Sequence, residues 1–120
     1  MGGDGARSGG KGGVSVVKRV AFTLKLKPGH VAEYKRRHET IWPELVAEIK
    51  QAGISEFSIF LDEATLTLFA VQNVREGFDS ASHSAKEVSI RWREYMADIL
   101  EVHPDKTAKC VPLKEVFHLE

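Results

Sequence analysis

The fold depends on residues 34–45, which read Tyr34-Lys35-Arg36-Arg37-His38-Glu39-Thr40-Ile41-Trp42-Pro43-Glu44-Leu45. Across this stretch and beyond both of its ends, apolar and aromatic residues recur at intervals of three and four, which is the spacing of one helix face. These residues are Val31, Tyr34, His38, Ile41, Leu45 and Ile49. The pattern predicts an amphipathic helix whose apolar stripe faces the core. Tyr34 and His38 are one turn apart on that stripe, so a hydroxyl and an imidazole should lie side by side.

Pro43 should divide this helix. Proline has no backbone N–H to donate, and its ring clashes with the carbonyl four residues earlier. We therefore expect a break or kink between about Glu39 and Trp42, which opens room beside His38, and a second helical segment that begins at Pro43. On spacing alone, a histidine on an apolar face is more often an ordinary core residue, and that interpretation stays open at this point.

The other elements follow from residue periodicity and from turn residues. Residues 20–26 alternate apolar and polar side chains, as in a strand with one buried face. Residues 57–61 and 66–72 are β-prone runs joined by a short polar connection, which predicts a hairpin. A second amphipathic helix should include Val88 and run to about Glu101. Residues 113–119 should form the last strand.

The order strand, helix, strand, strand, helix, strand predicts an α+β domain of the ferredoxin-like type. This fold is a four-stranded antiparallel sheet with two helices on one face. The other sheet face then needs a cover, and pairing of two chains is the simplest one, so we expect a homodimer. Residues 1–13 are rich in glycine and predict a disordered leader, followed by one domain over residues 14–120.

Composition narrows the classes of function. A chain of 120 residues is large enough for one core. Seventeen basic and seventeen acidic side chains cancel, so charge favours neither nucleic acid nor a membrane, and we expect a neutral ligand. The single cysteine, Cys110, suits a reducing compartment such as the cytoplasm. The histidines show no paired metal-ligand spacing, so we expect no metal.

The Tyr34-x-x-x-His38 motif, with residues 41–45 behind it, resembles the L-rhamnose mutarotase family. The resemblance runs from about Val17 to Glu120. The stretches that support it are 59–62, 68–70, 91–99, 103–105 and 115–119. It implies a dimeric α+β barrel and a cofactor-free enzyme that interconverts the α and β anomers of a deoxyhexose such as L-rhamnose.

The chemistry of anomer exchange suits a histidine. The sugar ring opens to an aldehyde when the ring oxygen gains a proton and the anomeric hydroxyl loses one. An imidazole, with an ordinary pKa of about 6.5, can both give and take protons near neutral pH. The resemblance places the catalytic proton donor on His38, a sugar-binding hydroxyl on Tyr34 and a sugar-binding ring on Trp92.

The chain departs from the family pattern at two positions that the resemblance places in the sugar site. Phe57 stands where the family has a sugar-binding tyrosine, and Arg93 stands where it has a second tryptophan. One lost hydrogen bond costs on the order of 1 kcal/mol, so we expect an altered sugar preference with the proton chemistry intact. The alternative is a non-catalytic sugar-binding or dimerisation module that kept the fold.

Overall fold

The computed structural model describes residues 17–120, and the leader expected over residues 1–13 lies outside them. The order of elements is strand, two helices, two strands, two helices and a short strand. Their bounds are β1 Val17–Lys25, α1 Val31–Glu39, α2 Pro43–Gln51, β2 Ile54–Asp62, β3 Thr67–Arg75, α3 Ser80–Ser84, α4 Glu87–Met96 and β4 Val111–Leu113.

The four strands form one antiparallel sheet in the order β2-β3-β1-β4. This strand order, with helices between β1 and β2 and between β3 and β4, confirms the ferredoxin-like prediction. The hairpin between β2 and β3 is also confirmed. In its turn, Asp62 Oδ1 accepts a hydrogen bond from the Ala64 amide at 3.1 Å, and Leu66 takes a positive φ of 59°.

The core lies between one face of the sheet and the helices. The apolar face of the sheet packs against the apolar faces of the helices, so the fully buried side chains of the core come from three places along the chain. The largest of these side chains are Leu26, Leu68 and Ile99. Tyr34, Met96 and Leu100 complete the same cluster, so the predicted inward-facing tyrosine is a core residue.

The predicted helix break is confirmed. Helix α1 ends at Glu39 and α2 begins at Pro43, with Trp42 between them in an extended conformation (φ −64°, ψ 129°). Proline at the first helical position loses no helical hydrogen bond, because that N–H has no intrahelical partner. Helix α2 is followed by Gly53 at φ +94°, which a side chain would occupy only with strain.

The second predicted helix ends five residues earlier than expected, at Met96 instead of Glu101. After the helix, the chain bonds to the backbone at the end of β1. The Glu101 amide donates to Lys25 O and the Lys27 amide donates to Ile99 O, both at 2.9 Å. Helix α3 was not predicted from the sequence. It has five residues and is capped by Asp79, whose side chain accepts a hydrogen bond from the Ser82 amide at 3.2 Å.

The last strand was placed wrongly: it covers Val111–Leu113 and not residues 113–119. Only these three residues lie in register with β1, where Pro112 is opposite Phe22. Proline has no N–H to donate to a neighbouring strand, and in sheets it is tolerated at the edge. This missing donor explains why β4 is short. The chain then leaves the sheet, and its His118 ring is hydrogen-bonded to the Arg19 guanidinium at 2.8 Å.

The sheet face turned away from the helices carries an apolar band, which we name the open face. Cross-strand partners point to the same side of a sheet. Phe60 pairs with Phe69, Phe69 with Thr23, and Thr23 with Val111. The open face is defined by Phe60, Phe69, Val71, Val111 and Leu113. In the single chain Phe60 is 63% exposed and Val111 is 58% exposed.

Candidate active site

Helix α1 brings Tyr34 and His38 together as their spacing predicts. The two ring centroids are 4.4 Å apart. His38 Nδ1 lies 3.0 Å from the backbone oxygen of Tyr34. A carbonyl oxygen can only accept, so Nδ1 is the donor in this bond, and Nε2 is the nitrogen that can exchange a proton with a ligand.

Trp92 approaches His38 from the neighbouring helix. It lies on α4, and its ring meets the imidazole edge-on with centroids 5.5 Å apart. The structure therefore joins three of the five residues that the sequence analysis placed in the site. An imidazole beside an indole provides a proton-transfer group next to the kind of flat apolar surface that contacts the C–H face of a sugar.

Two further rings complete the site, and we name the whole group the ring cluster. Trp42 meets Trp92 edge-on at 5.1 Å, and it stacks on Tyr95 at 5.5 Å. The ring cluster consists of Tyr34, His38, Trp42, Trp92 and Tyr95.

Trp42 and Tyr95 were not predicted from the sequence to lie in the site. The three-residue interval between Trp92 and Tyr95 on one helix was the available signal for Tyr95. The helix break explains Trp42, because its extended backbone turns the chain just after His38.

Tyr34 is a hydrogen-bonding group held in its neutral form. Its residue is 8% exposed, and this burial raises the pKa of its phenol to about 12. Within residues 17–120, Ser89 Oγ is the only fully enclosed side-chain polar atom without a hydrogen-bond partner. The Tyr34 hydroxyl is therefore not both enclosed in the core and unpaired. At neutral pH the phenol can donate to a ligand oxygen, and it cannot serve as a base.

The two positions that depart from the family pattern lie outside the ring cluster. Phe57 is on β2, 40% exposed, next to a bulge where Glu56 has a φ of 50°. Arg93 is on α4, and its Nη1 donates to the backbone oxygen of Ser84 at 2.9 Å. Among residues 17–120, neither side chain has a ring contact or a hydrogen bond with His38. Their role in sugar binding stays a prediction.

Residues 17–120 contain neither a membrane-spanning helix nor a side-chain group that could hold a metal ion. Each helix in this part of the chain is too short or too polar to cross a membrane. Groups of three or more His, Cys, Asp or Glu side chains that could hold a metal ion do not occur in it.

The fold and the ring cluster define a small ferredoxin-like α+β protein with a histidine site on its helix layer. Comparison with known proteins extends this description. The model of the L-rhamnose mutarotase family matches residues 19–119. This chain belongs to the L-rhamnose mutarotase family. It is therefore an isomerase that acts on carbohydrates and interconverts sugar anomers.

Individual relatives support the assignment. The L-rhamnose mutarotase of Flavobacterium johnsoniae is 49% identical over 102 residues, which is 85% of this chain and 95% of the relative. That of Bacteroides thetaiotaomicron is 45% identical over 104 residues, 87% of this chain and 100% of the relative.

Solved structures agree with the fold. A crystal structure of an L-rhamnose mutarotase from Formosa agariphila has a TM-score of 0.78 and 46% identity, and it covers 86% of this chain and 99% of its own. A Nitrosomonas europaea protein described as an antibiotic biosynthesis monooxygenase has a TM-score of 0.57 at 14% identity, covering 87% of this chain and 94% of its own. At that identity the second likeness shows the fold alone.

Replacing Tyr34 by Phe should remove a tyrosine titration that occurs at unusually high pH, which we call the late transition. The folded-state pKa of about 12 lies above the unfolded value of about 10. The free energy of unfolding of the wild type should therefore fall as the pH rises from about 10 through about 12. In this range the unfolded chain releases the phenol proton of Tyr34 more readily than the folded chain does. Ultraviolet titration checks the assignment, with circular dichroism showing that the protein is still folded. The control is Tyr95→Phe, which should keep the late transition. A late transition that persists in Tyr34→Phe would contradict the assignment.

Proposed function

We propose that this protein is a cofactor-free mutarotase of a 6-deoxyhexose such as L-rhamnose, with His38 as the general acid and base. The observation that carries the proposal is the His38 imidazole, tied through Nδ1 to the backbone and set among the rings of Tyr34 and Trp92. This arrangement supplies a proton-transfer group, a neutral hydrogen-bond donor and an apolar surface in one place.

The reaction needs no more than these groups. The C1–O5 bond breaks, its electron pair stays on O5, and O5 takes a proton from the His38 imidazolium. The neutral His38 imidazole left by that transfer takes the proton of the anomeric hydroxyl as the C1 carbonyl forms, which restores the imidazolium. Rotation about C1–C2 exposes the other face of the aldehyde, and the reverse steps close the ring. No electron or group is transferred, so acid and base catalysis suffices.

The other residues of the ring cluster would bind and orient the sugar. Tyr34 is neutral near pH 7, as any tyrosine is, and burial raises its pKa further, to about 12, so it donates a hydrogen bond to a sugar oxygen. Trp92 offers its ring to the apolar C–H face, as aromatic surfaces do in other small-molecule sites. The relatives named above are L-rhamnose mutarotases, which supports a 6-deoxyhexose as substrate.

Replacing His38 by Asn should lower anomer exchange by about 10²–10⁴-fold, the usual contribution of a positioned acid or base. Saturation-transfer NMR on L-rhamnose and L-fucose, with and without protein, measures the exchange directly. The matched control is His103→Asn, the same change in an exposed loop, which should leave exchange at the wild-type rate. If His38→Asn keeps full activity, His38 is an ordinary core residue.

The same experiment separates the enzyme from the alternative of a non-catalytic sugar-binding module. Wild-type protein that binds the sugars but does not accelerate exchange at micromolar concentration supports the module. Loss of exchange with retained sugar binding in His38→Asn supports the catalytic role.

We further propose that Phe57 and Arg93 set the sugar preference and not the rate of proton transfer, since neither can act as the acid that opens the ring. The double variant Phe57→Tyr with Arg93→Trp should raise activity on L-rhamnose by roughly 5–30-fold, the value of one or two hydrogen bonds and a stacking contact at about 1–2 kcal/mol. Exchange rates across a sugar panel measure the effect, and His38 should stay essential in this background.

A matched control isolates the added hydroxyl. Phe57→Leu changes the same position without adding a hydrogen-bonding group, so it should not raise activity on L-rhamnose. An unchanged sugar ranking and unchanged rates in the double variant would mean that Phe57 and Arg93 do not face the ligand.

We also propose that the protein is a homodimer that pairs through the open face. Phe60, Val111 and Leu113 are exposed on this face in the single chain, between 44% and 63%. A shallow cavity of about 260 Å³ lies on the same side, between β1 and residues 113–118. A contiguous apolar band of this kind is unusual on a monomer and is typical of an interface. A second copy of the chain would bury the band.

Sedimentation equilibrium should give twice the 13.4 kDa mass of the chain. Phe60→Glu should shift the protein to the monomer, because it places a charge in the apolar band. Ile90→Glu is the matched control: this residue is 38% exposed on α4, in the helix layer, and the variant should stay dimeric. Wild-type protein that is monomeric at high micromolar concentration contradicts the proposal.

A further inference from the structure

Arg37 is a buried cation directly beside His38 in the sequence. It is 8% exposed, whereas Lys35 and Arg36 on the same helix are exposed. Both arginines form ion pairs, Arg36 with Glu33 and Arg37 with Glu33 and Asp98, but only Arg37 is buried. Burying a guanidinium is costly unless its donors are satisfied, so its partners explain its place.

All three guanidinium nitrogens of Arg37 have partners. Nε donates to Glu33 Oε2 at 2.7 Å. Nη1 and Nη2 donate to the two carboxylate oxygens of Asp98 at 2.9 and 3.2 Å, and this pairing holds the pKa of Asp98 below its usual range. Nη1 also donates to the backbone oxygen of Tyr95 at 2.7 Å. Tyr95 is in the last turn of α4, where carbonyls lack helical partners, so Arg37 fastens the end of α4 to α1.

The same guanidinium contacts the ring cluster. Arg37 Cζ lies 4.4 Å from the centroid of the Tyr95 ring. Tyr95 is stacked on Trp42 at 5.5 Å with an interplanar angle of 29°, and it also contacts Trp92 at 5.6 Å. Trp92 in turn meets His38. A continuous series of contacts thus runs from the buried cation to the imidazole.

We propose that Arg37 is a positioning residue for anomer exchange. By holding both the backbone and the ring of Tyr95, it holds Trp42 and Trp92 as an ordered wall beside His38. The inference rests on the proposed function, because the wall matters to catalysis only if the sugar binds against it.

A lysine at position 37 tests geometry separately from charge. Lysine keeps the positive charge, but a single ammonium cannot make a forked bond to Asp98, donate to Tyr95 O and lie flat on the Tyr95 ring together. A role limited to interhelix attachment predicts lower stability and no change in the kinetics of the folded protein. A positioning role predicts a change in the site itself.

The experiment compares wild-type protein with Arg37→Lys in the kinetics of L-rhamnose anomer exchange and in near-ultraviolet circular dichroism. We expect KM to rise about 5–30-fold with kcat within about threefold, because a misplaced wall weakens ground-state and transition-state binding alike. The near-ultraviolet spectrum should lose intensity while the far-ultraviolet spectrum is unchanged. The two tryptophans of the chain are Trp42 and Trp92, so this spectrum reports on the ring cluster.

Arg75→Lys is the matched control. Arg75 also donates to a carbonyl at the end of a helix, Gln51 O at 3.1 Å, but it belongs to β3 and has no ring of the cluster as a partner among residues 17–120. Its KM and its near-ultraviolet spectrum should equal those of the wild type.

A second variant covers the case in which Arg37→Lys does not fold. Asp98→Asn keeps the size of the side chain and weakens the forked bond, so it should shift KM and the near-ultraviolet spectrum in the same direction. Unchanged KM and an unchanged near-ultraviolet spectrum in a folded variant overturn the proposal. Wild-type protein without mutarotase activity refutes the proposed function, while the spectrum still decides whether Arg37 orders the rings.

Discussion

The site depends on one backbone constraint, the inability of Pro43 to continue the helix that carries His38. Because Pro43 has no N–H and occupies the first position of α2, the preceding residues leave helical geometry. His38 therefore lies in the last turn of α1, and Trp42 enters the ring cluster from an extended segment. With an uninterrupted helix, Trp42 would follow His38 by four residues on the same face, in a helical and not an extended conformation.

The two faces of the sheet have different roles. On the helix side, Leu26 and Leu68 pack under the helices and support the layer that carries the site. On the other side, Phe60 and Phe69 form an apolar surface without helices. Because successive side chains of a strand alternate between faces, a change on the open face need not disturb the core beneath the site. The proposed association and the proposed catalysis can therefore be tested by separate substitutions.

The elements with strong periodicity could be predicted from sequence. The strand β1, the inward-facing stripe through Tyr34 and the break at Pro43 each follow from local physics, and each was confirmed, although burial along β1 does not alternate. The failures lie where tertiary contacts decide. Helix α4 ends early because Ile99 and Glu101 bond to the backbone at the end of β1, which no local pattern in α4 reveals.

The site, too, could be predicted from sequence only where local patterns decide it. Spacing and resemblance predicted the meeting of Tyr34, His38 and Trp92, because two of these share a helix face and the third lies on the stripe of the other helix. The contact between Trp42 and Tyr95 depends on how two helices cross, which is a property of packing.

Arg37 and His38 are neighbours on α1, and we propose different roles for them in the site. Successive helical residues point about 100° apart, so Arg37 reaches the end of α4 while His38 meets Tyr34 and Trp92. Anomer exchange is chemically undemanding, since one group that gives and takes a proton opens and closes the ring. The greater demand is to hold a small neutral sugar in one orientation against that group. We propose that in this domain aromatic rings perform that task, and rings on separate helices stay in position only if the helices are held together. The hydrogen bonds and ion pairs of the buried Arg37 guanidinium supply that fastening between α1 and the end of α4.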